Sequence, residues 1–207
     1  MISRRQMIAS SSALAALGVS SAARAQGATC AVFDKSSQAA TSPDQALARL
    51  KEGNERFSNG KTVNCDLMSQ VKATSGQQSP VACVVGCIDS RVPPELVFDQ
   101  RLGDIFAARV AGNFVNTDII GSLEFATKLA GAKVIVVLGH TECGAIKGAV
   151  DDAKLGNLTA TLANIRPSLT KLNYSAMPSS KNKELVQRVA DQNARDAAAN
   201  LTAKSDV

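Results

Sequence analysis

The sequence has no tryptophan, one tyrosine and one histidine, and aromatic residues make up only 3% of it. With so few rings there is little for nucleic-acid bases to stack on, and no aromatics interleave with the basic residues. Long apolar runs are missing too. The longest near the N-terminus, Ala13-Leu14-Ala15-Ala16-Leu17-Gly18-Val19, falls short of the ~20 residues that span a bilayer. There is no Cys-x-x-Cys pair, which argues against a dithiol redox enzyme. Basic charge is not concentrated either. The formal charge is +5, but Arg4, Arg5 and Arg24 lie in a first segment without acids, and its removal leaves +2. What is present is 45% apolar and 20% charged residues over 207 positions, enough for one domain with a real core.

Residues 1–25 are ordered as an export signal. Ser3-Arg4-Arg5-Gln6-Met7-Ile8 gives a charged start with an arginine pair, the short apolar run follows, and Ala23-Arg24-Ala25 has the small-x-small form of a cleavage site. The segment resembles a twin-arginine signal, the route for proteins that fold and take up cofactor before export. The mature protein is therefore expected to start at Gln26, in the periplasm or outside a bacterial cell, with no membrane attachment. Residues 26–42 are small, polar and aperiodic, and are expected to be a mobile arm ahead of a domain over 43–207.

Within that domain, Ser42-Pro43-Asp44 opens a helix, with Ser42 as cap and Pro43 in the first turn, and Gly60 closes it. A short helix is expected over 66–74. Strands are expected at 81–85, 104–110 and 134–138, where continuous β-branched runs suit a sheet buried on both faces. Helices are expected over 118–129, stopped by Gly131, and over 157–172 and 182–203. Strands alternating with helices give an α/β fold with a mainly parallel sheet.

Two segments each follow a strand: Gly86-Cys87-Ile88-Asp89-Ser90-Arg91-Val92 and Gly139-His140-Thr141-Glu142-Cys143-Gly144. Ligand sites in such folds form beyond the carboxyl ends of the strands. Cys87, His140 and Cys143 supply two sulfurs and one nitrogen, a donor set that suits Zn²⁺ with a fourth position left open. His-x-x-Cys lets both side chains reach one ion from a single turn, and Cys143 falls near a helix start, where the dipole favours thiolate.

Both segments resemble the signatures of the β-class carbonic anhydrases. The likeness continues through Ser90-Arg91-Val92-Pro93-Pro94-Glu95, Gly103-Asp104, Arg109-Val110-Ala111-Gly112-Asn113 and Gly121-Ser122-Leu123-Glu124. It implies an α/β homodimer or higher oligomer that converts carbon dioxide and water to bicarbonate and a proton. Cys87, His140 and Cys143 match the family's zinc ligands. Zinc lowers the pKa of a bound water to about 7, which would make it the hydroxide nucleophile. Asp89 and Arg91 match a dyad in which the arginine keeps the aspartate off the metal. Gln78 matches a residue that hydrogen-bonds substrate or product, and Phe106 an apolar wall of the pocket. Phe125 stands where many members carry a tyrosine that lines the partner subunit's pocket, so a hydroxyl is lost there. The same donor set would serve a hydrolase acting on a sulfur analogue of carbon dioxide. With Asp89 on the metal, it would serve a non-catalytic zinc protein with a closed site.

His140 is the sole histidine, so no second imidazole can relay protons. Members of the family usually continue past the last helix with another helix and an edge strand, so an unpaired sheet edge is expected here. Cys83, inside a strand, is expected to be core. Cys30 and Cys65 would be able to pair in an oxidising compartment.

Overall fold

The computed structural model describes residues 30–207, and the expected export segment lies outside the described residues. Three parallel strands, β1 (Ala82–Gly86), β2 (Ile105–Arg109) and β3 (Val134–Val137), form a sheet in the order β2-β1-β3. Ala82 is in register with both Ile105 and Val134, so the three strands start level. All five residues of β1 are buried, as a central parallel strand covered on both faces must be. Alternation sends Ala82 and Val84 into one cluster with Leu50, Val97 and Ile105. It sends Cys83 and Val85 into another with Leu123, Ala126 and Ala197. Cys83 is thus core, and burial alone pushes its thiol up to about 12.

Helices cover both faces. After α1 (Lys35–Ala40) comes α2 (Pro43–Ser58), where Ser42 Oγ accepts from the Gln45 amide and the Gln45 side chain accepts in return from the Ser42 amide. Gly53 is required in α2 because a Cβ there would lie 1.7 Å from the Phe98 carbonyl oxygen. Then follow α3 (Leu67–Thr74), capped by Asp66, and a short α4 (Pro94–Val97). Next come α5 (Thr117–Glu124), α6 (Gly144–Val150), α7 (Gly156–Ala163), α8 (Arg166–Lys171) and α9 (Lys183–Lys204). The last of these turns Leu185, Val186, Val189, Ala190, Asn193 and Ala197 inward. Each fully buried Val or Leu contributes roughly 1.5–3 kcal/mol relative to exposure. Among the described residues no helix is long and apolar enough to cross a membrane.

Three expectations need correction. From residue 30 onward, the segment read as a mobile arm is tied down. Cys30 is disulfide-bonded to Cys65, and α1 is capped by Asp34, which accepts from the Ser37 amide. The buried Gln38 donates from Nε2 to the Pro80 and Ala130 carbonyls at 2.6 and 2.8 Å. The Phe33 amide donates to the buried Asp104 at 3.4 Å, and the Arg49 guanidinium lies 4.8 Å over the Phe33 ring. These anchors are single polar contacts and one covalent bond, which leave no apolar period to detect. The helix expected over 157–172 is two helices, α7 and α8, with Pro167 in the first turn of the second. The one expected over 118–129 passes from α5 into a π-helical turn, Phe125–Leu129, before Gly131 ends it at φ +87°.

Candidate metal centre

β1 and β3 end side by side, and the loops that leave them meet. Cys87 follows the last residue of β1; His140 and Cys143 follow β3, and Cys143 caps the start of α6. Between His140 and Cys143, Glu142 takes φ +57°, a left-handed conformation uncommon outside glycine. That kink turns the chain so that both side chains face one point. One donor atom from each of Cys87, His140 and Cys143 lies within 4.8 Å of the others, and the two sulfurs are 3.8 Å apart and unbonded.

The two thiols are pushed in opposite directions by their contact with each other. A hydrogen bond from Cys143 pushes the Cys87 thiol down to about 4, helped by the Gly112 amide, and the same contact, with burial, pushes Cys143 up. His140 Nδ1 lies 2.9 Å from the Thr141 carbonyl, which assigns its proton to Nδ1 and leaves the lone pair on Nε2. That Nε2 is buried and has no partner among the described residues. A buried polar atom left unpaired costs about 1–3 kcal/mol. Two sulfurs and one imidazole nitrogen fit a zinc ion, whose catalytic sites use three protein ligands.

Asp89 and Arg91 stand beside this cluster. Arg91 grips the carboxylate with both arms, Nε to Oδ1 at 2.9 Å and Nη2 to Oδ2 at 2.7 Å, while its amide donates to Oδ1 at 3.0 Å. The guanidinium holds the Asp89 carboxyl well below the usual range. Arg91 also reaches the Glu142 carbonyl at 3.3 Å, so one side chain links the two ligand loops.

Sequence reasoning missed a supporting layer. Arg109, at the end of β2, donates from Nε to the Cys87 carbonyl at 2.8 Å and from Nη2 to the Asp89 carbonyl at 2.6 Å. The Gly112 amide donates to the Cys87 sulfur at 3.3 Å, and Asn193 holds the Gly112 carbonyl at 2.7 Å. A signal for the last was present: Asn193 interrupts the apolar spacing of Val186, Val189, Ala190 and Ala197.

The other expected site residues are not brought to the cluster in this chain. Phe106 pairs in register with Cys83, near the starting end of the strands, and Gln78 is exposed ahead of β1. Phe106 and Phe125 meet edge to face at 6.4 Å and line an open cavity of about 750 Å³ along the outer edge of β2.

A family model described as carbonic anhydrase matches residues 82–207, which contain all three donors. Carbonic anhydrase 2 of Mycobacterium tuberculosis is 36% identical over 151 residues, covering 72% of this chain; the chain spans 64% of that relative's length. Among solved structures, the β-carbonic anhydrase CafA of Aspergillus fumigatus superposes with a TM-score of 0.57 at 28% identity, over 78% of this chain and 76% of the other. One of two tetrameric β-carbonic anhydrases from Sordaria macrospora gives 0.56 at 25% identity, over 67% and 76%.

Proposed function

Because the chain belongs to the β-class carbonic anhydrase family, we propose that it holds zinc through Cys87, His140 and Cys143 and catalyses the reversible hydration of carbon dioxide to bicarbonate and a proton. One observation carries the reading: three soft donor atoms converge within 4.8 Å, and the His140 Nε2 among them has no other partner among the described residues. When bound, zinc supplies Lewis acidity that makes water nucleophilic near neutral pH.

The chain's own residues do the rest. Arg91 occupies both oxygens of Asp89, which keeps the carboxylate from completing the donor set and favours an open site over a closed one. Held there, Asp89 accepts a hydrogen bond from the attacking water and orients it. Arg109 fixes the backbone from Cys87 to Asp89, so ligand and acceptor keep one geometry. With His140 committed to the centre, the product proton leaves to solvent or buffer.

Carbon dioxide is small and nonpolar, so it needs an apolar wall. Gln78, Phe106 and Phe125 supply that wall and its polar contact to a second copy. The half-exposed Phe125 and the open outer edge of β2 support this arrangement, as does the likeness to a tetrameric relative. We infer further that the protein is exported to the periplasm. The ordering of residues 1–25 supports it, and so does the Cys30–Cys65 disulfide, since such bonds persist in oxidising compartments.

Stopped-flow hydration of carbon dioxide by the zinc-loaded protein tests the activity. The expected result is one zinc per chain and a rate that rises with pH around neutrality. Folded protein with one zinc and no rate above buffer overturns the activity, and folded protein that takes up no zinc overturns the centre.

A further inference from the structure

Asn193 is 2% exposed on the inward face of α9, among residues that are otherwise apolar. A buried amide is costly when unpaired, so an apolar residue would serve packing better there. Its Nδ2 donates across 81 positions of sequence to the Gly112 carbonyl at 2.7 Å. Gly112 sits at φ +85°, and a Cβ on it would lie 2.4 Å from Ile165 Cδ1 and 3.3 Å from the Ala145 Cβ. The turn is therefore pressed between the start of α6 and the residue before α8, and only glycine fits. From that turn the Gly112 amide donates to the Cys87 sulfur at 3.3 Å.

We propose that Asn193 is a positioning residue for the metal centre, fixing the Gly112 turn so that its amide stays on the Cys87 sulfur. The proposal rests on the reading of Cys87 as a zinc ligand. An N–H donated to a thiolate spreads its negative charge and fixes the direction of its remaining lone pairs. Both effects set how strongly and at what angle the sulfur bonds a cation. Without Asn193 the Gly112 carbonyl loses this partner, and the turn keeps only its packing and its own backbone hydrogen bond to hold the amide in direction. Outer partners of this kind are worth about 10–100-fold in metal affinity.

The test loads the protein with cadmium-113 and records amide proton spectra, then measures zinc affinity by chelator competition. In the wild type the Gly112 amide proton should show scalar coupling to cadmium through the Cys87 sulfur. Asn193→Leu, of similar size but without a donor, should abolish that coupling and weaken zinc binding by about 10–100-fold. Asn193→Ser, which is too short to reach the carbonyl, serves the same purpose should the leucine variant fail to fold. Ala197→Gly, one turn along α9 in a different core cluster, is the stability control and should keep both coupling and affinity. Native affinity and coupling in a folded Asn193 variant overturn the proposal, as does an equal loss in Ala197→Gly. So does a cadmium-loaded wild type without coupling at Gly112. A wild type that takes up neither metal overturns the zinc reading itself, which is a separate failure.

Discussion

Two pairs of cysteines meet in this protein, at opposite ends of one sheet, and only one pair is bonded. Cys30 and Cys65 form a disulfide that staples the N-terminal segment to the body, and that segment docks on Pro80, Asp104 and Ala130, just ahead of the three strands. Cys87 and Cys143 sit where the strands end, 3.8 Å apart and unbonded. The residues are the same, and their neighbours decide the chemistry. Beside the second pair stand the imidazole of His140 with a free Nε2 and an amide that favours thiolate; among the described residues no metal-binding group includes the first pair. Cys83 shows a third outcome, since burial without a partner pushes its thiol up to about 12 and leaves it inert.

The sharpest break in this contrast comes at the metal end. Cys143→Ser should weaken zinc by more than about 100-fold, beyond what the loss of outer partners produces, with hydration falling to background. Chelator competition and stopped-flow assays read both. Arg91→Ala should keep zinc and lose about 100-fold or more in hydration rate, because Asp89 is no longer aimed. Full activity in that variant would remove the dyad from the mechanism.

The stapled end should respond in stability instead. The disulfide closes a sequence separation of 35 residues. For a loop of that size, chain entropy predicts a loss of roughly 3–4 kcal/mol when Cys30 and Cys65 are both changed to serine. A melting temperature about 10 °C lower follows for a chain of this length. Zinc content should not change, and a double-serine variant that loses zinc would show that the two ends are coupled.

The smallest effect is in acid. The Ser37 hydroxyl and amide hold the Asp34 carboxyl at about 2, against an ordinary value of 3.8. A depressed carboxyl stabilises the fold above its ordinary value, and that contribution is lost as pH falls through about 2. Wild type should therefore exceed Asp34→Asn in melting temperature at pH 6, with the gap closing between pH 3.8 and about 2.

Much of this was legible in the sequence, for reasons that also mark the limits. The three strands showed as continuous β-branched runs, and the donors showed because each motif directly follows one of them. Cys87 and His140 then meet whatever the intervening helices do. The docking of Gln38 was hidden, because one amide reaching two carbonyls has no period and no composition. The break between α7 and α8 was hidden because the apolar spacing runs on through Leu162, Ile165 and Leu169, although Pro167 can only sit comfortably in a first turn. Phe106 and Phe125 were singled out separately, through the family resemblance; that their rings meet, and near which end of the sheet, follows from register, and register is a tertiary fact.

Because the three strands run one way, donors and aromatic wall lie at different places along them, and in the proposed assembly each chain lends its wall to another. Genetics would then see partial rescue between two broken alleles. A chain without its donors and a chain without its Phe106–Phe125 wall each fail alone, yet a hybrid pair assembles one working centre from the sound half of each.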